Sequence, residues 1–474
     1  MLLPVIILIV LSAILLMLVV MTYYLRTMHK GYEEADDAGD DSAMIRKDEV
    51  SNAQTFVYTA IILVSVSLLV ALYMALRGTV WEAHLMEWMN IVIRLMHITF
   101  GIAWIGASFY FVFLENALNR TRDVRDELAG NLWAVHGGGF YYLEKYKVAP
   151  QKIPKHLHWF KYEAYFTWLS GFCLLFVVYY FNASAMLIDK NVLGIEEWQG
   201  IGIGIGSFIV AWVVYDLLCK SPLIRKGYWF SLTGLLLVTA FAWFYAHVFN
   251  SRAAYMHFGA MLGGIMVANV FFVIIPSQKA MVKAARENKP LNPQLGKNAG
   301  MRSLHNNYFT LPVLFVMISN HFPSTFGNEY SWLVLAIISL GAAGVKHYLN
   351  LREKGQLSLW VMPASVIILL GAAFMTAPDK PGTCKSDVSF AEVNAIIQNR
   401  CVTCHSAKPT DETYAAAPNG VMFDTPNEIV KMKDKIMQRV VITKTMPQNN
   451  KTNITQKERD LIRCWIDQGA VMGK

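Results

Sequence analysis

Long apolar runs, separated by short polar loops, organise most of this chain. They fall near residues 2–25, 55–77, 88–114, 163–181, 198–218, 229–249, 254–275, 306–321, 330–349 and 358–377. Most reach the roughly 18–20 residues that a helix needs to cross a hydrocarbon layer about 30 Å thick. The pattern predicts ten spanning helices, the eighth being the weakest. The first run lacks the basic leader and small-residue cleavage site of a signal peptide and is followed by Arg26 and Lys30, so it reads as a helix. Beyond Pro378 the pattern changes. An amphipathic segment with Val388, Val393, Ile396 and Ile397 and a last helix over Thr455 to Gly469, presenting Leu461, Ile462 and Trp465, predict a small separate domain. The expected fold is all-α: a polytopic bundle of about ten transmembrane helices over residues 1–378, then a C-terminal domain over 379–474.

Composition agrees: 55% of positions are apolar and 16% charged. The net charge of +8 would suggest a nucleic-acid partner if it were spread over one face. It is not, so nucleic acid is not implied. Arg120, Arg122, Arg125, Lys145, Lys147, Lys152 and Lys155, then Lys220, Arg225 and Lys226, then Lys279, Lys283, Arg286, Lys289 and Lys297, then Arg352 and Lys354 occupy alternate loops, which the positive-inside rule makes cytoplasmic. An even helix count then places both chain ends outside the cytoplasm of a bacterial inner membrane. Two loops stand out. Residues 31–49 are acidic and read as a flexible cytoplasmic linker. Residues 131–162 are dense in aromatics and histidine and are expected to fold against the helices and line a site.

Cys401-Val-Thr-Cys404-His405 is a C-x-x-C-H sequence, in which two thiols bond to the vinyl groups of a haem c and the histidine takes an axial iron position. No histidine follows it, which leaves Met422, Met432, Met437, Met446 and Met472 for the other axial position. Met446 is the choice, because it precedes Pro447 in an irregular stretch from Thr443 to Lys451, whereas Met432 and Met437 fall in an apparent helix. A chance match or a zinc half-site is the alternative. Cys384 and Cys464 share the same region, where an oxidising compartment permits a disulfide between them. This region resembles a class I cytochrome c over nearly all of residues 384–474.

Ionisable side chains within spanning helices are expensive and mark function by default. His97 lies about nine residues inside a predicted span, roughly 13 Å deep at 1.5 Å per residue. Paired with His247 or His257 it is a candidate ligand set for a b-type haem. His305 or His347 could serve a second haem further in, and the competing reading is histidines hydrogen-bonded at helix ends. Gly101, Gly106, Ala107 and Ser108 after His97 allow close approach of a helix or a macrocycle, and Gly202, Gly204 and Gly206 read as helix packing. Arg94 is a partner for a propionate, Glu87 or Glu115, and Asp216 and Glu163 read as interface residues near helix ends.

From Glu82 to about Pro378 the chain resembles the membrane domain of bacterial membrane-bound urate hydroxylases, a family fused to a C-terminal cytochrome c. The resemblance rests on RLMHITFGIAWIGASFYFVFLENAL (94–118), ELAGNLWAVHGGGFYYLEKYKVAP (127–150) and LHWFKYEAYFTWLSGF (157–172), and covers about four fifths of the chain. Residues 1–80, two further spans and a linker, match no part of the family pattern. The resemblance implies oxidation of urate with water to 5-hydroxyisourate, with electrons passing to the cytochrome domain and on to a terminal oxidase or a soluble cytochrome c. Electrons from a cytoplasmic substrate would then cross about 30 Å of hydrocarbon, which predicts at least one haem b between the layers. Urate is a planar anion, so its pocket needs an aromatic wall, a cation and amide or backbone donors. His136, His158, Lys161 and Glu163, with Trp159, are the candidate catalytic and binding residues.

Two other readings compete. A membrane-anchored electron carrier between a quinol or partner complex and an oxidase, alone or in a larger assembly, fits the C-x-x-C-H domain equally well, but has no need of the aromatic loop. A transporter with a redox appendage finds only weak support in the clustered glycines, because no pair of broken helices is evident.

Overall fold

The computed structural model describes residues 80–150, 153–154, 157–377, 384, 387–411, 414 and 416–472. The runs expected at 2–25 and 55–77, the acidic linker and His156 lie outside the described residues. The described chain divides into two compact units, one comprising the residues up to His97 with Leu169–Phe181, the other Ile98–Trp168 with Asn182 to the C-terminus.

In the first unit, the N-terminal half of α1 (Val80–Ala117) and the end of α2 (Tyr162–Leu175), continued by a π-turn over Phe176–Tyr180, supply a small core. Ile93, Cys173 and Val177 are buried there, with Met89, Leu174, Phe176 and Phe181 packed against them.

The second unit holds the rest of the bundle. It contains α3 (Glu197–Lys220), α4 (Gly227–Ala246) and α5 (Ser251–Ala268), which runs through a π-turn (Asn269–Ile274) into α6 (Ile275–Arg286). Then come α7 (Pro293–Ser319), α8 (Ser331–Glu353) and α9 (Val361–Met375). Six helices among the described residues are long and apolar enough to cross a membrane: His84–Ala117, Tyr162–Tyr180, Glu197–Lys220, Gly227–Ala246, Ser251–Arg286 and Ser331–Glu353. Their flanks leave large apolar side chains such as Ile102, Ile209, Leu236 and Ile367 exposed, which is compatible with a hydrocarbon surrounding. Val361–Met375 is apolar but shorter. The run expected at 306–321 differs most. Its helix starts at Pro293, after an Asn292 side chain that accepts the Gln294 N–H at 3.0 Å, and its first half carries Lys297, Arg302, His305, Asn306 and Asn307.

Glycine sets the approach of α8 to α9. A Cβ at Gly341 would come within 2.7 Å of Leu369, so only a bare α-carbon fits that crossing. The Gly202–Gly206 series behaves otherwise than expected. A Cβ at Gly202 or Gly206 would meet nothing within 4 Å, and only Gly204 is buried.

The expectation of an all-α chain fails at residues 128–146. β1 (Leu128–His136) and β2 (Gly139–Tyr146) form an antiparallel hairpin turned by Gly137 and Gly138 at φ +58° and +81°. Only glycine adopts two such values at little cost, and a Gly-Gly pair between aromatic runs favours this tight turn. The aromatics do not bury themselves against the helices as expected: Trp133 is 67% and Phe140 79% exposed.

The C-terminal region forms its own core within the second unit. α10 (Phe390–Arg400) begins with a capping box of Ser389 and Glu392, and α11 (Gln456–Asp467) with one of Thr455 and Glu458. Each satisfies backbone donors that the first helical turn cannot. Val393, Ile397, Ile429, Ile462 and Trp465 are buried between them. Cys384 and Cys464 are disulfide-bonded, with Cα atoms 5.6 Å apart. The loop from Thr443 to Lys451 leans on the bundle. Gln448 donates to the Ala185 carbonyl, Asn449 Nδ2 donates to the Ile188 carbonyl at 2.7 Å, and Asn191 Nδ2 donates to the Asn449 carbonyl at 3.2 Å.

The disulfide spans 80 residues, for which chain entropy alone gives about 4 kcal/mol of stabilisation. Replacing Cys384 with Ser is expected to speed amide exchange throughout residues 384–472 of the full chain while leaving α3 to α8 protected. Burial raises the Glu458 carboxyl, but the backbone N–H and hydroxyl of Thr455 and then Arg400 outweigh it and hold the group below its ordinary 4.5. A depressed carboxylate stabilises fully above its unfolded value and stops doing so as pH falls through the lower folded one. Glu458→Gln should therefore flatten the acid limb of unfolding below about pH 4.5, read as exchange in the same segment against pH.

Candidate functional site

A closed polar cluster lies among α3, α5 and α7, where the apolar pattern alone would place a core. Arg302 is 3% exposed. Its guanidinium donates to Asp216 Oδ1 at 2.6 Å and to Asn269 Oδ1 at 3.2 Å, and lies 4.9 Å from the Tyr215 ring centroid. Asn269 Nδ2 donates to the Tyr215 hydroxyl at 3.1 Å and to Asn306 Oδ1 at 2.8 Å, and Asn306 Nδ2 donates to the Met266 carbonyl. The Tyr215 hydroxyl is 2.8 Å from His305 Nδ1, whose ring stacks on Phe230. Asp216 also holds Lys220 at 2.6 Å. Asn269 opens the π-turn, and such turns in α-helices concentrate at functional sites because the extra residue redirects side chains. Asp216, read from the sequence as an interface residue, is instead the counter-ion of a buried arginine.

The remaining predicted residues fall in several places. His97 Nδ1 lies 3.2 Å from Ser170 Oγ, and a Cβ on Gly171 would come within 2.8 Å of its ring, so the imidazole is tightly seated. His257 is fully buried, with Nδ1 2.8 Å from the Ala253 carbonyl and Phe249 at 4.4 Å between ring centroids. His247 bonds the Trp243 carbonyl and stacks on that indole, and His347 Nδ1 is 2.6 Å from the Tyr308 hydroxyl. Arg94 is held by Asn90, four residues earlier, and Glu115 takes Arg120 and Lys145 in place of the expected Arg94.

His158, Lys161 and Glu163 gather at the start of α2. His158 Nε2 is 4.0 Å from Glu163 Oε1, Lys161 lies over the Tyr162 ring, and the second Glu163 oxygen is buried without a partner. Trp159 lines an open pocket of about 300 Å³ with Lys279, Val282, Lys283, Arg286 and Glu287. His136 sits at the hairpin turn, and among the described residues no hydrogen bond, ion pair or ring contact joins it to those three.

Cys401 caps the C-terminus of α10, which puts Cys404 and His405 in the turn that follows. His405 Nδ1 is 3.0 Å from the Val421 carbonyl, which fixes the ring and directs Nε2 away, and Phe423 flanks it at 5.3 Å. Met446 packs against the same core. Its amide donates to the Arg439 carbonyl, and its own carbonyl accepts from Arg459 at 2.8 Å. Burial, with Cys404 beside it, pushes the Cys401 thiol up to about 12. A zinc half-site needs thiolates, and among the described residues no three His, Cys, Asp or Glu side chains gather as metal ligands. Two thiols and an imidazole at a helix end are the donor set that thioether attachment of a haem would use.

Removing one partner of a buried ion pair costs about 3–5 kcal/mol, because the other charge is left in low dielectric, whereas replacing both by apolar residues is often neutral. Asp216→Leu alone, which strands the buried guanidinium, should thus lower the melting temperature of the detergent-solubilised protein more than Arg302→Met, after which Lys220 still neutralises Asp216, and Arg302→Met with Asp216→Leu should recover most of the larger loss.

The family profile described as Urate oxidase N-terminal matches residues 83–377. No curated relative and no solved structure matches the chain. The match takes in α1 to α9 and ends where the C-terminal region begins, and the chain belongs to the urate oxidase N-terminal family.

Proposed function

We propose that this chain is a membrane-bound urate hydroxylase that passes electrons from urate to a haem c on its C-terminal domain. The reaction is urate plus water giving 5-hydroxyisourate, two electrons and two protons. The family match over the bundle supports the substrate, and one observation carries the electron path: the C-x-x-C-H turn caps α10 with His405 Nδ1 fixed on Val421 and Nε2 directed away. Cys401 and Cys404 would hold the haem by thioether bonds, with His405 and Met446 at the iron. When bound it supplies a one-electron acceptor of positive potential. The capping boxes, the disulfide and Arg459 on the Met446 carbonyl hold those ligands in place.

In the bundle, His257 offers the tautomer of an axial imidazole, with Nδ1 on a backbone carbonyl, and is our choice of ligand for a haem b. The basic Trp159 pocket lies at the end that the charge distribution makes cytoplasmic, and would gather an anionic substrate from that side. The C-terminal domain is then periplasmic, and a terminal oxidase or soluble cytochrome c takes the electrons.

Anaerobic urate added to the air-oxidised protein is expected to reduce a c-type α-band, and a pyridine haemochrome of the same sample should show haem b beside haem c. Reduction by quinol with no response to urate would instead establish a membrane-anchored electron carrier. Cys401→Ala with Cys404→Ala should leave no haem attached after denaturation.

A further inference from the structure

Where α7 and α8 meet the second half of α1, the bundle leaves polar groups unmatched, in contrast to the closed cluster around Arg302. Lys346, on the last two turns of α8, is 3% exposed. Its ammonium sits 4.0 Å from the centroid of the Phe109 ring, and among the described residues no hydrogen bond or ion pair reaches it. Glu353, two turns further along the same helix and about 10 Å away at 1.5 Å per residue, is taken by Asn116 at 2.9 Å. One turn from Lys346 on the same face is Asn350, whose carbonyl accepts from Asn307 at 3.0 Å. Both amides are buried, and the Asn350 Nδ2 donor and the Asn307 Oδ1 acceptor have no partner. Turning both amides over still leaves one donor and one acceptor unused.

A buried ammonium without a contact ion pair, beside an unused donor and an unused acceptor, describes the complement of a specific ligand. That ligand is an anion, because the one carboxylate that acts on the cation, Glu353, does so from a distance and is already bonded by Asn116. It carries both N–H and C=O groups, because both kinds of amide atom wait for it. It is flat enough to enter beside the Phe109 ring, one face of which the ammonium already covers. A halide would answer the charge and leave the amide acceptor unmet. The Trp159 pocket differs in kind: its lysines and arginine are exposed, and Lys283 and Glu287 already face each other at 3.9 Å. Exposed cations attract at long range, whereas a desolvated one discriminates.

We infer that Lys346, Asn350 and Asn307, beside the Phe109 ring, form the binding site for a planar oxopurine anion. This rests on the proposed urate reaction and gives it a location. Lys346 neutralises the anion, Asn350 donates to a ring carbonyl and Asn307 accepts from a ring N–H.

The test is thermal unfolding of the full haem-loaded protein in detergent, with urate, xanthine or chloride added at equal ionic strength. Wild type is expected to shift upward with urate and not with chloride. Lys346→Met should unfold at a higher temperature than wild type without ligand, since a buried charge is gone, and should lose the urate shift. Asn350→Asp, which supplies a carboxylate one turn from the ammonium, should also lose it, so the inference stays testable if Lys346→Met fails to accumulate. A Lys346→Met or Asn350→Asp protein that shifts with urate as wild type does overturns the site, as does an equal wild-type response to chloride. A wild type that shifts with urate through Lys346 but whose haem stays oxidised supports the site and overturns the reaction. A wild type indifferent to urate in both assays overturns both.

Discussion

Buried polar atoms in an apolar bundle have only one another for partners, since the apolar side chains around them offer none, and the arrangement of α3, α5 and α7 follows from that constraint. Arg302 cannot be withdrawn from Asp216 and Asn269 without stranding a charge, so the pair fixes the rotation of α7 against α3. Asn269 reaches the arginine because the π-turn swings it inward, and Asn306, one turn beyond Arg302, ties the same amide from the other side. A polar cluster of this kind specifies one helix register among several that hydrophobic packing would accept.

The sequence was most readable where local chemistry acts alone. The two C-terminal helices begin at Ser-x-x-Glu and Thr-x-x-Glu boxes, the C-x-x-C-H turn follows the first, and Met446 lies in the irregular loop expected for it. Apolar length located the long helices for the same reason. The α7 segment was legible only in part, because Lys297, Arg302 and His305 lower its hydropathy over the very turns that bury Arg302. Its signal was there in another form. Arg302, His305, Asn306 and Asn307 fall within two turns, and residues three and four apart share a face.

The hairpin shows the opposite error. Aromatic density over residues 131–162 suggested a segment folded against the helices, yet the alternation on either side of Gly137 and Gly138 was a two-residue turn signal. Density measures composition, and only alternation measures shape. The unmatched amides of Asn307 and Asn350 were not legible at all, for a different reason: which polar atoms find partners depends on how α7 and α8 meet, and no spacing within either helix encodes it.

The Thr443–Lys451 loop meets the bundle through hydrogen bonds to main-chain carbonyls of Ala185 and Ile188 and through close packing on Gly327, where a Cβ would come within 2.5 Å of the Thr443 carbonyl. Loop and bundle belong to one chain, in which the sequence stretch 376–383 lies between α9 and the disulfide-bonded Cys384, so the contact is intramolecular and independent of protein concentration. Because these hydrogen bonds address the backbone, a change of side chain at Ala185 or Ile188 leaves the accepting carbonyls in place.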